Sequence, residues 1–127
     1  LVRLTDGRFI IIDGGYNYSL GASLVYNALQ KLAVDKSNIV VATWILTHGH
    51  NDHMSVVLTF AKSYSNVKVE SFIFNKPTAA EIDITGDGGG SGANSYWVRF
   101  YDLLGTTYKD SIAYKAHPGQ FIILRVD

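Results

Sequence analysis

Cysteine is absent from the 127 residues, so neither a disulfide scaffold nor a thiolate metal site can be built, and the redox compartment stays open. No charge sign dominates. Eleven Lys and Arg balance eleven Asp and Glu, which argues against a general electrostatic grip on nucleic acid or on an anionic membrane. The basic residues are scattered singly, so no nucleic-acid-binding stripe emerges. No run of 18 apolar residues provides a transmembrane helix. No charged-then-apolar stretch of the signal-peptide kind opens these residues. What is present suits a core: 47% of residues are apolar against 17% charged. A domain of this length buries roughly two-thirds of its unfolded surface. The first residue is Leu1 rather than Met, and both ends read as strand, so residues 1–127 are expected to be one domain cut from a longer chain.

Apolar runs and turn signals give an order of elements. Leu1–Leu4 and Phe9–Ile12 flank Thr5-Asp6-Gly7-Arg8, and an Asp-Gly pair between apolar runs is a hairpin signal. Asp13-Gly14-Gly15 stops the second strand. From Leu20 the spacing turns helical, with Leu20, Leu24 and Ala28 in one row and Val25, Leu29 and Leu32 beside them. Ile39–Leu46 is nearly continuous apolar sequence, as in a strand buried on both faces. Thr47–His53 reads as a polar loop. Met54, Val57, Leu58 and Ala61 then mark an amphipathic helix, and Val67–Phe74 marks another strand. Residues 85–92 hold five glycines and predict a loop. Trp97, Phe100, Tyr101 and Leu104 form a third helical stripe with Gly105 as its C-cap. Ile112–Ala116 and Phe121–Val126 predict two last strands. The expected class is α/β, a mixed sheet covered by helices.

Three of the four histidines fall in His48-Gly49-His50-Asn51-Asp52-His53. Residues two apart point the same way on extended chain and different ways on a helix. The segment follows a strand, so His48 and His50 are expected side by side, with Gly49 allowing a close backbone turn. Asp52 and His53 then project from the start of the next helix. Imidazole nitrogen and carboxylate oxygen together suit zinc, and also manganese or iron. His48 and His50 can share one metal while Asp52 and His53 face a second. Such a pair activates water and stabilises developing negative charge. Asp52 also admits a purely structural role as a helix N-cap, but neither capping nor packing calls for three imidazoles.

Thr47-His48-Gly49-His50-Asn51-Asp52-His53 resembles the His-x-His-x-Asp-His signature of the metallo-β-lactamase superfamily. Residues 3–15 resemble that family's entry hairpin with its Asp-Gly ending, and the likeness extends to about residue 74. His117-Pro118-Gly119-Gln120-Phe121 is similar to a strand–Gly–strand step in the branch that includes competence-type membrane proteins. The resemblance implies an αββα sandwich, of which this chain would hold the first half. It also implies one or two zinc ions and a metal-bound hydroxide attacking an ester, phosphodiester, thioester or lactone. His48 and His50 would bind the first metal. Asp52 and His53 would bind the second, with Asp52 also orienting the nucleophile. Asp13 would support the site by hydrogen-bonding the metal loop, although a turn residue after a strand is an equal reading of it.

The family supplies further ligands in its second half. His117 is the only later histidine here, and turn geometry before Pro118-Gly119 is its simpler role. Asp87 is a rival for the family's metal-bridging Asp. The better explanation is that the missing ligands lie beyond Asp127. The chain alone would then bind metal weakly or not at all, since most of the coordination would be left to water. A cut sheet leaves open edges, so self-association through Phe121–Val126 is a further expectation. The expected partner is a small-molecule or phosphodiester substrate. The alternative function is a non-catalytic module that keeps the fold and binds a ligand or another protein.

Overall fold

Asp6 and Gly7 close the first hairpin: Gly7 adopts φ +89°, and the Arg8 carbonyl accepts from the Leu4 N–H at 2.8 Å. The turn pairs β1 (Val2–Arg3) antiparallel to β2 (Phe9–Ile12). This is a computed structural model in which residues 1–17, 20–85 and 95–124 are described. The next elements are α1 (Gly21–Leu32), β3 (Val40–Ile45), α2 (Asn51–Ser63), β4 (Lys68–Val69) and β5 (Ser71–Phe74). They are followed by α3 (Ala79–Thr85), α4 (Tyr96–Gly105) and β6 (Ile112–Lys115). The strands form one six-stranded sheet in the order β1-β2-β3-β5-β6, with β4 also on β3. Every pairing except β1 with β2 is parallel, so the sheet is mixed.

Strand alternation sorts the side chains onto two faces. Ile11, Trp44 and Phe72 lie in register on one face. That face meets the helices. Trp44 packs edge-on to Phe60 of α2 at 5.3 Å, and Phe72 and Phe74 meet Phe100 of α4 at 5.0 and 5.3 Å. The α2 stripe reads as its spacing predicts, with Met54, Val57, Leu58 and Ala61 all buried. Val56 and Phe60 are buried as well, because α2 lies between α1 and α4 and is enclosed on more than one side. On the other face, Ile10, Thr43, Ile45 and Ile73 line a cavity of about 360 Å³ together with Ile122 and Leu124. No helical residue lines that cavity. The architecture is therefore one helical layer on one mixed sheet, consistent with part of an αββα sandwich.

Several expectations need correction. In α1 the buried residues are Ala22 and Leu29, whereas Leu20 and Leu24 are each 63% exposed. Of the two predicted rows, the one with Leu29 and Val25 reaches the core, and Ala22, which stood in neither, is buried with it. Gly105 is the last residue of α4 rather than its cap, and Thr106 caps the helix with its N–H on the Leu103 carbonyl. The predicted strand Val67–Phe74 is broken at Glu70, whose N–H bonds Val41 and whose carbonyl accepts from Ile112. Residues 121–124 join no strand, so the sheet's outer strands among the described residues are β1 and β6, not Phe121–Val126. Helix α3 was not foreseen at all. It opens with a reciprocal cap in which the Thr78 N–H donates to Glu81 Oε2 at 2.6 Å and the Glu81 N–H donates to Thr78 Oγ1 at 3.3 Å.

Candidate metal centre

Strand β3 runs out at Ile45, and the chain bends at Gly49 before His50, which occupies the N-cap position of α2 at φ −72° and ψ 155°. The helix begins at Asn51, so the predicted loop 47–53 is shorter than expected. Asp52 stands in the first turn and is not the cap. A carboxylate there is favoured by the unpaired N–H groups of the helix start. His48 and His50 come together across the bend at Gly49, with ring centroids 4.7 Å apart. One ligand atom from each of His48, His50 and Asp52 lies within 4.8 Å of the others. His48 is half-buried, and His50 and Asp52 are exposed, so the group opens to solvent.

His53 takes a different position. Its ring lies 3.8 Å from that of His48, but its Nδ1 stands 2.8 Å from Asp13 Oδ2. A carboxylate accepts, so Nδ1 carries the proton and the Nε2 lone pair is left toward Asp52, whose Oδ2 is 3.6 Å away. Asp52 thus stands both in the group with His48 and His50 and within 3.6 Å of His53 Nε2.

Asp13 and Thr47 lie behind these rings. The Thr47 N–H donates to Asp13 Oδ1 at 2.8 Å and its hydroxyl donates to Asp13 Oδ2 at 2.7 Å. With its only proton committed, the Thr47 oxygen accepts from His48 Nδ1 at 3.0 Å. That choice leaves His48 Nε2 as the free lone pair. Asp13 reaches this position through a left-handed backbone, φ +50°, a conformation that Asp tolerates better than most residues. Its carbonyl accepts from Trp44 Nε1 at 3.0 Å, and the Gly14 N–H reaches the His53 carbonyl at 3.1 Å. Burial pushes the Asp13 carboxyl up, but the Thr47 N–H, His53 and the Thr47 hydroxyl together bring it below the usual carboxylate range. It is thus a firm anion beneath the histidines.

The remaining candidates are elsewhere. His117 follows β6 in a turn closed by its own N–H on Gln120 Oε1 at 3.0 Å. It lines the cavity on the helix-free face and is not in the three-ligand group. Strand β6 is two strands from β3, roughly 10 Å at ordinary strand spacing. Asp87 lies outside the described residues. Thr47, a member of the motif, also links Asp13 to His48, a role that its residue type does not announce. No spacing rule could reveal it, because its partner Asp13 is 34 residues away in sequence.

The family model of the metallo-beta-lactamase superfamily matches residues 1–71. The chain belongs to the metallo-β-lactamase superfamily. No curated protein and no solved structure matches it significantly. The matched segment holds Asp13, Thr47, His48, His50, Asp52 and His53, whereas Trp97 and His117 lie beyond it. Members of the superfamily typically bind metal, and the donor set here is chemically suited to one. Tetrahedral zinc with bonds of about 2.0–2.1 Å sets its ligand atoms roughly 3.4 Å apart. The three ligand atoms, within 4.8 Å of one another, stand at most about 1.4 Å wider than that spacing.

Proposed function

We propose that this chain carries the metal-ligand motif of a metal-dependent hydrolase acting on an ester, phosphodiester, thioester or lactone. The observation that supports this reading is the convergence of His48, His50 and Asp52 within a superfamily whose members include many hydrolases. Zinc fits the two imidazoles and one carboxylate best, and manganese or iron can use the same donors. When bound, such an ion supplies Lewis acidity and lowers the pKa of a coordinated water.

The chain's own residues have separable tasks. Thr47 holds the His48 tautomer, so that Nε2 faces the site. Asp13 holds His53 through Nδ1, so that its Nε2 lies beside Asp52. Asp52 is both ligand and orienter of the attacking water. His53 is the adjacent base or further ligand. Three donors leave the rest of the coordination to water, and for that reason one ion is held weakly by them alone.

The test is turnover of a bis-aryl phosphate, a lactone, a thioester and a cephalosporin by the full-length protein, in wild type and Asp52→Ala, before and after chelation. Zinc-restored activity in wild type that falls at least about a hundredfold in Asp52→Ala supports the reading. Equal rates for the two proteins remove Asp52 from the mechanism. Absence of turnover on every substrate favours the non-catalytic module, to which the exposed apolar surface at Ile12 also points.

A further inference from the structure

Beneath the loop that joins His48 to His50 lies a side chain from a part of the chain that the family model does not match. Trp97 is fully buried and stacks on Phe74, the last residue of β5, with centroids 5.5 Å apart and planes 23° apart. Its backbone is fixed at the start of α4, where the buried Ser95 hydroxyl accepts from the Val98 N–H at 3.1 Å. The upper edge of the indole meets Gly49. A Cβ built on Gly49 would collide with Trp97 Nε1 and would stand 2.7 Å from Cδ1 and 3.0 Å from Cε2. The indole N–H is buried and has no hydrogen-bond partner among the described residues. A buried N–H without an acceptor is normally avoided, so this edge is held against the glycine by packing alone.

We infer that Trp97 is a positioning residue for the metal loop, its indole forming the floor on which Gly49 rests and thereby setting the separation of His48 and His50. This rests on the metal site proposed above. The two ligands flank Gly49 on both sides, so any lift or tilt at that residue moves both imidazoles. The requirement for glycine at position 49 is thus steric: the loop must lie flat on an aromatic edge. Helix α4 therefore contributes to the ligand geometry of a motif more than forty residues earlier in the chain.

The experiment is a Co²⁺ titration of the chain, followed by visible absorption, for wild type, Gly49→Ala, Trp97→Phe and the double variant, with thermal midpoints measured in parallel. Gly49→Ala is expected to weaken Co²⁺ about tenfold, as loss of a ligand-orienting contact does. Trp97→Phe should weaken it severalfold. The double variant should recover much of the Gly49→Ala loss, because the smaller ring leaves room for the new methyl. Wild-type affinity in Gly49→Ala, or a double variant no better than Gly49→Ala, overturns the inference. A readout on the unmodified chain needs no variant to fold: Zn²⁺ should shift the Trp97 indole N–H resonance with the same midpoint as the ring signals of His48 and His50. An indole signal that stays fixed while those rings respond overturns the inference but leaves the metal site standing. A chain in which neither the rings nor the indole responds overturns both.

Discussion

Phe72 and Ile73 are neighbours on β5, yet one is fully buried against Phe100 and Tyr108 while the other is half-buried beside a cavity. The same contrast runs across the sheet. Ile11 and Trp44 are covered by the helical layer, whereas Ile12 on the opposite face is 53% exposed. The difference teaches that a strand's apolar residues report what the strand is built to meet, not only what it meets in these residues. A run such as Val40–Ile45 is apolar on both sides, as a layer in the middle of a sandwich is. One of those sides has its helices, and the other has, among the described residues, only the 116–124 segment.

The largest expected effect sharpens this contrast. Phe72→Ala should cost about 3–5 kcal/mol, as truncation of a fully enclosed aromatic does, and Ile73→Ala should cost about 1 kcal/mol. Denaturant midpoints of the two variants decide it, and equal losses would mean that the faces are energetically alike. Next in size is Asp13→Ala, at the junction of the covered face and the site. It strands the Thr47 N–H and hydroxyl and frees His53, so a loss of about 1–3 kcal/mol is expected. Zinc affinity should fall about tenfold in the same protein, measured by chelator competition.

Tyr108 gives a smaller effect of opposite sign. Its hydroxyl is buried without a partner, and burial pushes the phenol far above its ordinary range. Tyr108→Phe should therefore stabilise by about 1 kcal/mol near neutral pH. The pH dependence has a definite direction. The folded state holds the phenol neutral while the unfolded chain ionises near pH 10, so wild type loses stability as pH rises above about 10. The variant loses less there, and the gap between the two should widen in alkaline unfolding curves. The smallest effect belongs to the helix-free face: Ile12→Ser should change stability by no more than about 0.5 kcal/mol. A loss of several kcal/mol would show that this surface is covered in solution.

Much of this was legible in the residues themselves. The Asp6-Gly7 hairpin, the apolar run into β3, the stripe of α2 and the superfamily all follow from local pattern. The closeness of His48 to His50 was legible too, although the chain reaches it with a bend at Gly49 rather than by running extended. What was not legible depends on partners distant in sequence. Leu20, Leu24 and Leu29 all keep helical spacing, but only the docking angle of α1 decides that Leu29 and Ala22 turn inward while Leu20 and Leu24 face solvent. Helix α3 carries a local signal, the Thr78-Ala79-Ala80-Glu81 capping box, beside Pro77 and the glycine-rich stretch. Asp52 and His53 are adjacent in sequence, and only Asp13, forty residues earlier, engages His53 Nδ1 and leaves its Nε2 on the side of Asp52. Thr47 and Trp97 are ordinary residues by type, and their roles come wholly from the loop they touch.

The central claim is that His48, His50 and Asp52 share one cation. The most direct measurement is a Zn²⁺ titration of the chain observed through the ring nitrogens of ¹⁵N-labelled histidine. The account predicts that the Nε2 signals of His48 and His50 move together with a single midpoint, that His117 stays fixed, and that Asp52→Ala weakens that midpoint. Signals of His48 and His50 that respond at separate midpoints, or fail to respond with zinc in large excess, would contradict it.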